Sequence, residues 1–284
     1  MSGTFLRIAV TGVTGRMGKE IVKCIVKGEK QFSQEIVLGA AIARLNTNIC
    51  GMDVGTLINA DTLGVTITDN LESIKDNFDV LIDFTAPDVS VEYLKFCVNN
   101  NKNIVIGTTG FNKIHKNLIL NASHKIGIVF SSNFSIGVAL IFKLLHRITQ
   151  IIGSTSDINI IETHHNKKRD IPSGTALTMQ NIIVNTLRSV RSNNNKIMDF
   201  NFDAPTSYTP TSACEDIPIH SIRAGNVVGE HTVLFAGLGE CLEITHKASD
   251  RLIFAHGALR AALWIGHDKI GLFDVSDILE MNTS

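Results

Sequence analysis

The chain has 284 residues, 44% of them hydrophobic and 19% charged, a composition that supplies apolar material for one large or two modest cores. Lysine and arginine number 26 against 27 acidic residues, for a formal net charge of −1, so there is no bulk attraction to nucleic acid or to an anionic membrane. No uninterrupted apolar run reaches the ~20 residues that a bilayer span requires.

The opening residues run straight into a glycine loop without the pattern of a signal peptide. The five cysteines (Cys24, Cys50, Cys97, Cys214 and Cys241) are scattered, odd in number and form no C-x-x-C pair. Reduced thiols in a cytoplasmic protein are the expectation.

Leu6 to Thr11 is a compact apolar run ending at Gly12, the pattern of a buried strand. Ile21, Val22, Ile25 and Val26 then recur at helical spacing, with Gly28 placed to stop the helix. Ile36 to Ile42, Val80 to Phe84, Asn103 to Ile106 and Ile126 to Phe130 repeat the apolar run, with helical segments over Val89 to Val98 and Lys113 to Ser123. Wholly apolar strands alternating with helices predict a Rossmann-type α/β domain, its parallel sheet covered on both faces. Ligands bind such a sheet where strand ends meet polar or glycine residues, here Phe84-Thr85, Gly107-Thr108-Thr109 and Ser131-Ser132-Asn133.

After about residue 135 the pattern changes. A helix over Gly137 to Ile151 leads into a strand from Asp157 to Thr163; Ser173 precedes a helix to about Val190; His220 to His246 reads as strands only. This predicts a second, α+β domain on an open mixed sheet. A last helix from Asp250 through Trp264 returns to the first domain, so the expected division is 1–134 with 246–284 against 135–245. Ser192 to Ser212 carries little periodicity and reads as a long surface loop.

Glycines at 12, 15 and 18 follow a strand and open a helix. Without Cβ atoms the backbone can turn sharply beside a pyrophosphate, whose charge then faces the helix N-terminal N–H groups. The spacing is G-x-x-G-x-x-G, with Thr14 where the stricter dinucleotide pattern has its second glycine. An NAD-preferring site usually places an acid at the end of the second strand to accept from the ribose 2′-hydroxyl. Here the text is Ala40-Ala41-Ile42-Ala43-Arg44, and Arg44 is suited to a 2′-phosphate, so NADPH is the expected cofactor.

The second informative stretch runs from Glu162 to Thr175. Adjacent His164 and His165 at a strand end point to opposite faces, which makes them poor joint ligands for one metal, and no metal is expected. One of them facing a cleft suits acid–base work near neutral pH. Lys167, Lys168 and Arg169 concentrate positive charge, and Ser173-Gly174-Thr175 offers hydroxyls and N–H groups at a helix start. Two anion sites beside a protonatable histidine suit a small substrate bearing carboxylates.

These segments together resemble the dihydrodipicolinate reductase family. The matching text is Val10 to Gly18, Asp79 to Thr85, Val105 to Phe111, Ser132 to Ile136, Glu162 to Ala176, Arg223 to His231 and Glu243 to Ala248, in the family's order over nearly the whole chain. The resemblance implies a two-domain enzyme of lysine and diaminopimelate biosynthesis, usually a homotetramer joined through the second domain's sheet. It would reduce 4-hydroxy-tetrahydrodipicolinate to tetrahydrodipicolinate with NADPH or NADH. It further implies His164 as acid/base residue and Lys168 as proton donor, with His165, Lys168, Ser173, Gly174 and Thr175 on the substrate carboxylates. Gly12, Val13, Thr14, Gly15, Arg16 and Met17 would line the cofactor, as would Gly107, Thr108, Thr109, Ser131, Ser132, Asn133 and Phe134. Spacing alone leaves open which of His164 and Lys168 delivers the proton.

The chain departs from the family at Ala43, where many members carry an acid that allows NADH, and at Thr14, often glycine or alanine. It also lacks the Arg/Gly-rich text expected between about Asn193 and Pro218. The competing readings are another two-domain dehydrogenase and a non-catalytic NADPH sensor; neither needs the His-His-x-x-Lys and Ser-Gly-Thr elements together.

Overall fold

The computed structural model describes residues 5–27, 36–45, 47–193 and 217–279. Gly28 and most of the stretch Ser192 to Ser212, including everything read there as a loop beyond residue 193, lie outside the described residues. The chain divides into two compact units, residues 1–136 with 251–284, and residues 137–250.

The first unit is a seven-stranded, wholly parallel sheet. Its strands are β1 (Leu6–Thr11), β2 (Ile36–Ile42), β3 (Ile67–Thr68), β4 (Val80–Asp83), β5 (Asn103–Ile106), β6 (Gly127–Phe130) and β11 (Gly271–Phe273). Their order across the sheet is β11-β6-β5-β4-β1-β2-β3. Ile8, Ala9, Val10, Leu81, Ile82, Ile104, Val105 and Ile128 are buried whichever face they point to, and a sheet covered on both sides requires that. The winding reverses between β1 and β4, so the loops leaving β1, β4, β5 and β6 share one edge.

The helices of this unit are α1 (Arg16–Lys27), α2 (Gly55–Ile58), α3 (Pro87–Asn99), α4 (Lys113–Ala122), α7 (Leu252–Ile265) and α8 (Val275–Ile278). The short α2, β3, β11 and α8 carry too few residues for a periodic signal in the sequence. Helix α7 packs on α1 and on β4, β5 and β6. One polar clamp holds its end: buried Asn103 donates to the Gly266 carbonyl at 2.7 Å, while its side-chain oxygen accepts from Gly127 N–H at 2.7 Å.

Among the described residues, the second unit is a mixed sheet with two helices on one face. The helices are α5 (Ile136–Ile152) and α6 (Gly174–Asn193); the strands are β7 (Asp157–His164), β8 (Ile219–Arg223), β9 (Gly229–Ala236) and β10 (Cys241–Ala248), in the order β10-β9-β7-β8. Strands β7 and β8 run parallel and the other pairs antiparallel. Ile158, Ile160, Val233 and Phe235 face Ile141, Leu145, Ala176, Met179 and Ile183 of the helices. The opposite face carries Ile161 and Ile222, both exposed. By length and composition alone the helical stretch Ile136–Thr155 would suffice to cross a bilayer. Lys143, His146 and Arg147 interrupt it in sequence, and Val138, Ala139, Ile141, Leu145 and Thr149 of α5 are buried, so it serves as a core helix of this unit.

No disulfide joins the described cysteines: Cys24 and Cys97 are buried, Cys50 half-buried and Cys241 exposed. The clamp on α7 gives a test of the fold. Asn103→Leu leaves the Gly127 N–H and the Gly266 carbonyl without partners at about 1–3 kcal/mol each, and should lower Tm by roughly 5 °C or more in calorimetry. An unchanged Tm would show that α7 is held without it.

Candidate functional site

The first unit gathers chemistry at the carboxyl ends of its strands, and the second at the carboxyl ends of β7 and β8 with the amino end of β9. In the first, the loop after β1 is shaped by its glycines. Gly12 adopts a left-handed backbone (φ +58°), and the Gly15 N–H closes on the Gly12 carbonyl at 2.7 Å. A Cβ on Gly18 would lie 2.4 Å from that same carbonyl, so α1 can approach only because residue 18 has none. Thr14, Gly15 and Arg16 are left exposed at the start of α1, a cradle suited to a pyrophosphate on the helix N-terminus. Val13 is buried and Met17 half-buried, so they shape the loop from beneath. Arg44 is exposed just beyond β2, while Ala43 before it is buried.

The neighbouring loops are tied to this one by Asp83, the last residue of β4. Its carboxyl group is fully buried, and one oxygen accepts from the hydroxyls of Thr11 and Thr85, each at 2.7 Å. The other accepts from Ser90 and from Thr108, the latter at 3.2 Å. Thr108 also accepts from the Thr85 N–H at 2.9 Å. One acid thus fixes the ends of β1, β4 and β5 together, leaving Thr109 exposed and Gly107 half-buried beside it. After β6, Ser131 donates to the Asn133 carbonyl at 2.8 Å, Asn133 accepts from the Ser135 N–H at 2.8 Å, Ser132 is exposed and Phe134 is buried against Phe84.

In the second unit, strand alternation puts Ile158, Ile160, Glu162 and His164 of β7 on the inward face. The first two meet the helices; the last two form the polar end of the same face. Register sets Arg223 of β8 opposite His164, and His231 of β9 opposite Glu162. Arg223 grips both Glu162 oxygens in a fork, at 2.7 and 2.9 Å, and reaches the Asp170 carbonyl at 2.8 Å. His164 Nδ1 bonds the same carboxylate. Burial by itself raises the Glu162 carboxyl, but the hydrogen bonds from Arg223 and His164 outweigh it and hold it down at about 2. Burial lowers His164 below its ordinary value against the upward pull of Glu162. His231, almost fully enclosed and beside His164, is pushed down to about 3. Glu162, His164 and His231 present ligand atoms within 4.8 Å of one another. Those are metal-site donor types, but the guanidinium already occupies both carboxylate oxygens.

Helix α6 starts beside this cluster. Ser173 Oγ accepts from the Ala176 N–H at 3.2 Å, a helix cap, and lies 3.0 Å from His231 Nε2. The His231 ring sits edge-on to His164, with centroids 5.0 Å apart. Gly174 is half-buried and Thr175 buried in the same turn. Lys168 ion-pairs with exposed Asp170 at 2.7 Å, and His165 is half-buried next to His164.

Comparison with known proteins identifies the frame. A family model described as "Dihydrodipicolinate reductase, N-terminus" matches residues 6–134, and one described as "Dihydrodipicolinate reductase, C-terminus" matches 137–279. The chain belongs to the dihydrodipicolinate reductase family. It is a nicotinamide dinucleotide-dependent oxidoreductase. The 4-hydroxy-tetrahydrodipicolinate reductase of Blochmanniella pennsylvanica (strain BPEN) is 83% identical over 283 residues, covering 100% of this chain and 99% of its own. The protein of the same name from Blochmanniella floridana is 50% identical, over 98% of this chain and all of its own. Among solved structures, a dipicolinate-bound dihydrodipicolinate reductase from Paenisporosarcina sp. TG-14 is similar at 27% identity and a TM-score of 0.65, covering 95% of this chain and 98% of that one.

Within this family frame, four residues without an assigned role in the sequence reading turn out to organise the two sites: Asp83, Glu162, Arg223 and His231. Glu162 has a local signal, since an acid in the inward register of an apolar strand needs a partner. Arg223 and His231 have none, because only strand pairing brings them to β7.

The neutral imidazoles give this unit a pH signature. Below about 6.5 an unfolded chain protonates His231, while the folded chain refuses the proton down to about 3, so stability falls as pH falls through that window. The loss at about pH 5 should reach about 2 kcal/mol for His231. Glu162 acts in the same direction but at lower pH: its stabilisation persists until the pH drops below the ordinary 4.5 towards 2. Tm measured at about pH 7.5 and pH 5 should therefore drop, and drop less in His231→Gln; the same drop in both proteins would mean that His231 is not held neutral.

Proposed function

We infer that this chain reduces 4-hydroxy-tetrahydrodipicolinate to tetrahydrodipicolinate in lysine and diaminopimelate biosynthesis. One observation carries the reading to the residues: His164, a protonatable imidazole held by a buried acid, and the Ser173 helix start, an anion site, share His231 as a neighbour. A substrate carrying two carboxylates and a reducible C=N-conjugated system needs both.

Residues 1–134 with 246–284 are the dinucleotide domain on this reading. Gly12 to Met17 hold the pyrophosphate, Gly107 to Thr109 and Ser131 to Phe134 line the rest of the cofactor, and Arg44 meets a 2′-phosphate, so NADPH is preferred and NADH accepted. The observed cradle fits such a group, because Gly12 has a left-handed backbone and α1 starts exposed above it. When bound, the reduced nicotinamide supplies the hydride.

Residues 135–245 hold the substrate and the subunit contacts. Ser173, Gly174 and Thr175 donate to one carboxylate, and His165 and Lys168 meet the other. Lys168 now pairs with exposed Asp170, and an exposed pair is worth about 0–1 kcal/mol, so its ammonium is readily exchanged to a substrate carboxylate. Net reduction consumes a hydride and a proton and releases the hydroxyl as water; His164 and Lys168 manage the proton. Glu162 keeps the His164 Nδ1 side occupied, which directs Nε2 as the exchanging nitrogen. The uncovered sheet face bearing Ile161 and Ile222 suits assembly of a homotetramer. Scattered cysteines suit a cytoplasmic location, and neither nucleic acid nor membrane enters as partner.

Turnover is followed by loss of NADPH absorbance with the condensation product of pyruvate and aspartate semialdehyde. Wild type should turn over, and His164→Gln and Lys168→Ala should each lower kcat by about 10²-fold or more. Unchanged kcat in both variants would remove the assigned roles, and no turnover by wild type would remove the reaction. Arg44→Ala should raise KM for NADPH more than KM for NADH; equal effects would dispose of the 2′-phosphate contact.

A further inference from the structure

His231 has no part in the reaction just described, yet it is 2% exposed and bonds a residue assigned to the substrate. The geometry points to His231 as a positioning residue that sets which way the Ser173 hydroxyl donates: its Nε2–H fills the second lone pair of Ser173 Oγ, leaving the hydroxyl hydrogen to a substrate carboxylate. This inference rests on the reading of Ser173 as a substrate contact and deepens it.

A serine hydroxyl has one hydrogen and two acceptor sites. The Ala176 N–H takes one acceptor site at 3.2 Å. The contact to His231 Nε2 at 3.0 Å either takes the second or uses up the hydrogen, depending on the imidazole tautomer. If Nε2 lacked a proton, Ser173 would donate to it and would turn a lone pair towards the anion, which repels. If Nε2 carries the proton, both lone pairs are filled and the hydrogen can only point outward.

Three further features select the second arrangement. His231 Nδ1 is buried and has no hydrogen-bond partner among the described residues, and an orphaned buried N–H is rarer than an orphaned acceptor, so the proton belongs on Nε2. The doubly protonated ring is disfavoured, since burial and the neighbouring His164 press His231 towards neutrality. The ring is fixed in place by its edge-on packing against His164 and its register opposite Glu162. The side chain is therefore locked in orientation as well as in charge.

The test uses full-length protein with dipicolinate as probe, in the presence of NADPH, and kinetics with the substrate itself. His231→Phe should weaken dipicolinate about tenfold and raise substrate KM by a similar factor, with kcat within about twofold and NADPH binding unchanged. His231→Gln, whose amide can donate to Ser173, should recover most of the loss. Ser173→Ala and the double variant Ser173→Ala/His231→Phe should bind alike, because the two act through one bond. In wild type, ¹⁵N-histidine NMR should report His231 as the neutral Nε2–H tautomer whatever the variants do. An Nδ1–H tautomer, wild-type affinity in His231→Phe, or losses that multiply in the double variant would each overturn the inference alone. Failure of wild type to bind dipicolinate would overturn the substrate reading of Ser173 and this inference with it.

Discussion

A carboxylate taken wholly out of water must be given partners or give up its charge, and in the second unit Glu162 keeps its charge. Arg223 supplies the guanidinium fork, His164 the imidazole nitrogen, and the register of β7 with β8 and β9 brings them together. That one acid decides the orientation of His164 and ties the end of β7 to the loop at Asp170 through Arg223. Lys168 and the Ser173 turn follow from that loop. Without the fork, the inward face of β7 would end in an uncompensated buried charge.

The first unit uses the same device with different partners. Asp83 also closes an apolar strand with an acid at its carboxyl end, but it is surrounded by hydroxyls, not by a cation. The hydroxyls of Thr11, Thr85, Ser90 and Thr108 converge on it from three strand ends and from α3. The glycine loop and the Gly107–Thr109 turn are therefore held as one surface.

The similar reductases share this frame over the whole chain, with the break between family halves falling between residues 134 and 137. The departures noted in the sequence sit at the margins of the frame. Ala43 is buried at the end of β2 and leaves Arg44 as the exposed group there, so the polarity of that corner follows from one residue. Thr14 is exposed on the glycine loop, and the turn is closed by Gly12 and Gly15, which explains why a side chain is accommodated at 14.

By itself, the sequence determined what depends on local pattern. Apolar runs of four to seven residues between amphipathic segments specify a parallel sheet, glycines at 12, 15 and 18 specify the turn, and Ser173-Gly174-Thr175 specifies a helix start, because each signal is complete within a few neighbouring residues. The tertiary structure alone decided which distant groups share a bond. Arg223 lies 61 residues from Glu162, and Ser173 lies 58 from His231. No local spacing records such pairs, since they exist only once β8 and β9 are in register with β7. The histidine segment and the glycine loop were legible as chemistry; the buried acids that hold each of them in place became legible only in the fold.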